Sequence, residues 1–151
     1  MKKVTFIAAL AAFVSILSGC KSEPDFWLGA DLGWITEYEA KGHKFYNNAG
    51  EEMECTALMK ELGLNAVRHR VWVDPSAHGN WCSKEDLLVK CLRAKALDME
   101  ILVDFHYSDW WADPGKQNIP ASWSGHSYEQ MKEDLRAHTM EVLQYLKDNG
   151  V

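Results

Sequence analysis

The sequence predicts an α/β fold: the N-terminal part, about three βα units, of a (β/α)8 TIM barrel, incomplete as given. Three observations carry that expectation. Segments with strand and helix periodicity alternate in the order β, α, β, α, β, α, which calls for parallel strands joined by helical crossovers. The two best-defined strands begin near Asn65 and Ile101, a repeat of about 36 residues, so eight units would take roughly 290. The Gly-rich turn after the first strand, expected of the alternative doubly wound sheet, is missing. Three parallel strands cannot close a barrel and would leave an open edge. The chain of 151 residues ends on Asn149-Gly150-Val151, a helix stop and then the start of what reads as another strand. It is therefore expected to be the front part of a longer protein.

Each element has its own signal. Phe26 to Leu32 is a short apolar run that reads as the first strand, and Ile35 to Lys41 as a brief helical turn ended by Gly42. Phe45 to Gly50 reads as an extended segment entering a turn. Met53, Ala57, Leu58 and Leu62 recur at helical spacing up to Gly63, a good helix stop. Asn65 to Val73 is rich in β-branched residues and ends at Pro75. Leu87, Leu88, Cys91, Leu92, Ala94 and Leu97 mark the next helix, opened by Ser83 as N-cap with Asp86 three residues on. Ile101 to Phe105 is almost continuously apolar, as for a strand covered on both faces. Tyr128, Met131, Leu135, His138, Val142, Leu143 and Leu146 trace a long amphipathic helix up to Gly150.

The first residues read as an address. Lys2 and Lys3 precede an apolar run of about 14 residues, too short for the ~20 that span a bilayer. Ser18 and Gly19 before Cys20 have the spacing of a bacterial lipobox, in which the cysteine is acylated and the chain is cut just before it. The organisation expected is a signal peptide over 1–19, a polar tether over 20–25 and a domain over 26–151. The product is an exported lipoprotein, periplasmic or at the cell surface, held to the membrane by lipid on Cys20. An ordinary signal peptide with a chance Cys20 is the alternative. Loss of residues 1–19 removes two lysines and no acid, and moves the formal charge from −6 to −8.

Cys55, Cys82 and Cys91 remain, an odd set that does not make a complete disulfide framework. Cys55 and Cys91 fall on apolar helix faces and read as buried free thiols; Cys82 lies in a loop, with its bonding state open. No spacing suits zinc, so no metal site is expected. An acidic balance with no basic stripe argues against nucleic acid.

Chemistry is expected where parallel strands end. Side chains alternate along a strand, so Arg68, Arg70 and Trp72 share one face of the second predicted strand. A buried arginine is costly unless it meets a carboxylate or a substrate, and Arg70 lies nearer the carboxyl end. Pairing to an aspartate for stability alone is the competing reading. Asp104 and His106 share a face at the end of the third strand; a satisfied structural histidine and a metal ligand are the competing readings, and two such groups are too few for a metal. The stretch Tyr107 to His126 lacks either period and carries Asp109, Trp110, Trp111, Asp113, Lys116 and Trp123. Aromatic planes beside carboxylates suit a sugar, whose C–H faces pack on rings while its hydroxyls find polar partners. Of these tryptophans, Trp123 is expected to cap the barrel rim instead.

Four blocks carry a closer likeness. They are Gly29-Ala30-Asp31; Glu37 to Gly42 with Phe45-Tyr46; Asn65-Ala66-Val67-Arg68-His69-Arg70-Val71-Trp72-Val73-Asp74-Pro75; and Asp104-Phe105-His106-Tyr107-Ser108-Asp109-Trp110-Trp111-Ala112-Asp113-Pro114-Gly115-Lys116-Gln117. In this order they resemble glycoside hydrolase family 53, the endo-β-1,4-galactanases acting on type I arabinogalactan, from about Gly29 to Val151. The resemblance implies a TIM barrel and a retaining hydrolase of internal β-1,4-galactosidic bonds, with galactan or arabinogalactan as the partner. It implies that Arg70 and His106 line the cleavage subsite, that Trp111 and Asp113 contact substrate, and that Asp31 and Asp104 line the same site. Asp98 stands where relatives commonly have glycine after a helix.

The family's acid/base is a Glu in an Asn-Glu pair ending strand four, and its nucleophile a Glu ending strand seven. Both are expected beyond Val151, so no catalytic residue is assigned within this chain and it is expected to be inactive alone. Asp104 and Asp109 are not taken as the catalytic pair; they are expected to orient His106, Arg70 or a sugar hydroxyl. No cofactor is expected here, although some bacterial members bind calcium in late loops. A non-catalytic surface glycan-binding lipoprotein and another retaining glycosidase of the same clan are the alternative readings.

Overall fold

The computed structural model describes residues 26–151. The expected signal peptide, tether and lipidation site Cys20 lie outside the described residues. Within them the strands β1 (Gly29–Asp31), β4 (Ala66–Val71) and β5 (Glu100–Phe105) form a parallel sheet in the order β1-β4-β5. The register sets Asp31 beside Arg68 and Arg70 beside Asp104. The helices are α1 (Ile35–Ala40), α2 (Cys55–Glu61), α3 (Lys84–Ala96) and α4 (Tyr128–Asp148). Two residues each of β2 (Phe45–Tyr46) and β3 (Glu52–Met53) make a small antiparallel hairpin.

Local chemistry sets the boundaries. Ser83 caps α3 by accepting the Asp86 amide proton, and Ser127 and Gln130 form a reciprocal capping box on α4. Gly63 and Gly150 take the left-handed conformation that closes α2 and α4, at φ +95° and +87°. Asp98 takes it after α3 at φ +52°, the conformation its place in the sequence called for.

Several expected boundaries move. The first strand is shorter than Phe26 to Leu32, because the Leu28 amide donates to the Asn65 side chain (2.7 Å) and leaves the ladder. Met53 does not open a helix; it pairs with Phe45 across the hairpin, and Glu54 caps α2. The second strand ends at Val71, since the Trp72 amide donates to Cys82 O and that of Val73 to Ser108 O. Cys82 sits in its loop, yet it is fully buried with its thiol free, as are Cys55 and Cys91. Burial pushes the Cys55 thiol up to about 11 and that of Cys91 to about 12.

The core lies between the sheet and its helices. Val71, Leu87, Cys91, Val142 and Leu146 pack as one cluster with Ile101, Val103 and Phe105 against it; Val67, Ala94 and Met99 form a second. Among the described residues the opposite face of the sheet is open, and Leu102 is 58% exposed, so the expectation that both faces of β5 are covered fails here. The stripe on α4 is also only partly buried: Val142 and Leu146 are inside, while Tyr128, Leu135 and Leu143 face out, as Leu92 does on α3. No helix among the described residues is long and apolar enough to cross a membrane.

Candidate functional site

The open face of the sheet carries the polar side chains. Alternation and register bring Asp31 of β1, Arg68 and Arg70 of β4 and Asp104 of β5 onto it, with Trp72 and His106 just past the strand ends. They form one continuous network. Arg70 Nη2 donates to Asp31 Oδ1 at 3.2 Å and Arg68 Nη1 to Asp31 Oδ2 at 2.5 Å. The other arm of Arg68 donates to Asp104 Oδ2, which also meets His106 Nε2 at 2.8 Å. Trp72 Nε1 lies 3.4 Å from His106 Nδ1.

An indole N–H can only donate, so Nδ1 of His106 is the acceptor and the ring proton sits on Nε2, donated to Asp104. His106 is thus a fixed tautomer with both nitrogens engaged. Burial alone would raise the pKa of Asp31. The Gly33 amide proton at 2.8 Å and the Arg70 and Arg68 guanidinium groups outweigh it and hold the carboxyl below its ordinary value. Asp31 is therefore the acceptor that bridges the two arginines, while Asp104 accepts from Arg68 and His106. Asp109 faces elsewhere: it accepts the amides of Asp74 (3.1 Å) and Ala121 (2.8 Å) and ties two loops together.

Arg70 is 3% exposed, and its Nε and Nη1 have no hydrogen-bond acceptor among the described residues. Its guanidinium carbon lies 4.2 Å from the ring centroid of Trp111 and 5.0 Å from that of Trp34. Buried arginine donors without an acceptor are costly, and they are suited to an oxygen that arrives with a ligand.

Trp72, Trp110 and Trp111 group together, and Trp34 joins them. Trp34 contacts Trp72, Trp110 and Trp111 at centroid distances of 5.8, 5.9 and 5.4 Å. Trp110 stacks on His78 at 3.8 Å and meets the tilted ring of Trp72 at 4.5 Å, so it is packed against the protein's own rings. Asp113 is exposed and accepts the Gly115 amide at 2.7 Å in a turn bridged to Lys116. It shares the wall of an open cleft of about 570 Å³ with His106, Gln117, Asn118, Trp123 and Leu135. Trp123, expected at the rim, lines this cleft near Tyr107 and His138. No three His, Cys, Asp or Glu side chains among the described residues are grouped to hold a metal ion.

The structure thus brings Asp31, Arg70, Asp104, His106 and Trp111 together and sets Asp113 on the adjoining cleft. Sequence reasoning missed Trp34, whose only signal was its place three residues after Asp31. It also missed Lys90, whose signal was a lysine on the face of α3 that buries Leu87, Cys91 and Ala94.

Comparison with known proteins places this geometry. The profile of glycosyl hydrolase family 53 matches residues 27–151. An endo-beta-1,4-galactanase of Bacillus subtilis is 36% identical over 156 aligned positions, 99% of this chain and 36% of that protein. An arabinogalactan endo-beta-1,4-galactanase of Cellvibrio japonicus is 35% identical over 126 positions, 82% of this chain and 32% of the other. Among solved structures, the GH53 catalytic domain of Ignisphaera aggregans superposes with a TM-score of 0.77 at 35% identity, over 83% of this chain and 36% of that one. A fungal beta-1,4-galactanase gives 0.78 at 30% identity, over 83% and 37%. The chain spans about a third of the length of the relatives it matches. Three parallel βα units, a matching profile and two superpositions agree on a (β/α)8-barrel domain, and the chain belongs to glycosyl hydrolase family 53.

Proposed function

We propose that this chain supplies part of the substrate site of a retaining endo-galactanase, which hydrolyses internal β-1,4-galactosidic bonds in galactan or type I arabinogalactan. The observation that carries the reading is Arg70: a buried guanidinium stacked on Trp111, with two donors left open at the carboxyl ends of the strands of a family 53 domain. Its free donors would take a sugar hydroxyl or a catalytic carboxylate. Asp31 would hold its angle, and His106, fixed by Trp72 and Asp104, would present the edge of its ring. The names of the relatives support galactan as the substrate class.

Hydrolysis with retention needs two carboxyl groups about 5–5.5 Å apart, one of them able to carry a proton. Asp31 and Asp104 are poor choices, because Arg68 pairs with both, and the arginines and the Gly33 amide hold the Asp31 carboxyl below its ordinary value. The reading therefore includes the absence of hydrolytic activity in this chain by itself, and anchorage of the exported protein through lipid on Cys20. Residues 20–151 incubated with potato galactan and analysed by anion-exchange chromatography are expected to release no galacto-oligosaccharides above the blank. Linear release of galactobiose and galactotriose would refute that assignment. Radiolabelled palmitate incorporated by cells expressing the whole chain, and lost in Cys20→Ala, tests the anchor; equal labelling of the variant would refute it.

A further inference from the structure

The helix-facing side of the sheet holds a second polar cluster, which no contact to the site above accounts for. Lys90 is completely buried, on the face of α3 that packs on the sheet. Its Nζ donates to Asp86 Oδ2 at 2.7 Å and to the carbonyl oxygen of Gly33 at 3.0 Å, and it lies 3.8 Å from Cys82 Sγ. Cys82 Sγ donates to the same Gly33 carbonyl at 3.3 Å, and the Cys82 amide donates to Asp86 Oδ2 at 2.7 Å. One charged pair therefore ties α3, the loop before it and the β1–α1 turn.

Gly33 is where this cluster meets the site. Its amide donates to Asp31 Oδ1, the atom that also receives Arg70. A Cβ at this position would lie 2.5 Å from Arg70 Nη2 and 2.6 Å from its Nε, so the bare backbone of Gly33 is one wall of the guanidinium slot. Trp34, the next residue, is one of the two rings against Arg70. Among the described residues the Arg70 side chain has one hydrogen bond, at 3.2 Å, so its position depends on these walls.

Burying a lysine and an aspartate rarely increases stability relative to an apolar pair of the same shape, so such a pair is better explained by what it orients. We propose that Lys90, with Asp86, is a positioning residue for Arg70: it fixes the Gly33 carbonyl from behind the sheet, and through Gly33 and Trp34 it sets the guanidinium slot in front. This goes beyond the galactanase reading and does not need it, because the geometry concerns the ligand-free chain.

The test uses the whole chain in two variants, Lys90→Met and the double variant Asp86→Asn/Lys90→Met, which leaves no unpaired buried charge. Far-UV circular dichroism reports folding, and NMR reports exchange of the Arg70 Nε proton and the indole resonance of Trp34. Expected is a folded double variant in which the Arg70 Nε proton exchanges at least tenfold faster and the Trp34 indole peak moves. Lys90→Arg, which keeps charge and donors, is expected to retain the slow exchange. A folded variant with wild-type Arg70 exchange and an unmoved Trp34 resonance would overturn the proposal. If neither variant folds, native-state exchange of the wild-type chain decides. The Arg70 Nε proton and the Cys82 amide, which donates to Asp86, are expected to open in one event with the same denaturant dependence; independent openings would overturn it. Failure of the chain to bind galactan would leave all these readouts standing.

Discussion

His69 makes the stability of this domain depend on pH in a way that can be calculated. It sits on the helix-facing side of β4, completely buried, and neither ring nitrogen makes a well-formed hydrogen bond among the described residues. Burial, reinforced by the positive charge of Lys90, lowers its pKa to about 4; Asp31, Asp86 and the Leu32 backbone pull weakly the other way. An unfolded chain would hold the same imidazole near 6.5. The folded state thus binds the proton more weakly than the unfolded state. The contribution is complete above pH 6.5, falls as pH drops, and is gone below about pH 4, where the folded ring also protonates. The full span is about 3 kcal/mol, and between pH 7.5 and 5.0 the loss is about 2 kcal/mol. His69→Leu should remove this component. Urea unfolding followed by circular dichroism at both pH values gives the comparison, because every other titrating group is common to both proteins. The wild-type chain should lose about 2 kcal/mol more than His69→Leu over that interval. A difference below about 0.5 kcal/mol would refute the reasoning, for it would mean that the buried ring finds a proton partner.

Other expectations follow from the same contacts. Asp31→Asn removes the carboxylate shared by both arginines and leaves Arg70 buried without a counter-charge, while Arg68 keeps Asp104; it should cost about 2–3 kcal/mol in urea unfolding, reduced from the fully buried case because Asp31 and Arg68 are partly exposed. Gly33→Ala forces a methyl group into the Arg70 guanidinium, and should weaken the near-UV circular dichroism of the tryptophan cluster while sparing the far-UV spectrum. Trp111→Ala should reduce galactotetraose binding at least tenfold by calorimetry, whereas Trp110→Ala, whose ring is packed against His78 and Trp72, should lower thermal stability more than affinity. Cys55, Cys82 and Cys91 should react with a thiol reagent only after denaturation; rapid labelling of any of them in native buffer would contradict their burial.

How far the sequence could be read depended on how local each signal was. Helix caps and stops at Ser83, Gly63 and Gly150 involve neighbours within a turn, and the alternation along Arg68, Arg70 and Trp72 follows from strand geometry alone. The face carrying the candidate site was visible for that reason. The first strand was drawn too long because its pairing ends on a side chain, Asn65, 37 residues from Leu28. Met53 fits a helical spacing, but its pairing with Phe45 decides its state, and no periodicity reports that. The cover of β5 was overestimated among the described residues, since apolar pattern says which face seeks cover, not what covers it. Lys90 and Trp34 were overlooked because their roles exist only through Gly33, a residue whose importance lies in the side chain it lacks.

The most direct check is a titration of the ¹⁵N-labelled chain with β-1,4-galactotetraose, followed through the tryptophan indole and arginine side-chain signals. Saturable shifts should appear at Trp34, Trp111 and the Arg70 Nε–H, with Trp27 and Trp81 unmoved, and the shifts should vanish in Trp111→Ala. No shifts at millimolar sugar, or shifts confined to residues away from Arg70, would contradict the placement of the galactan site at these strand ends.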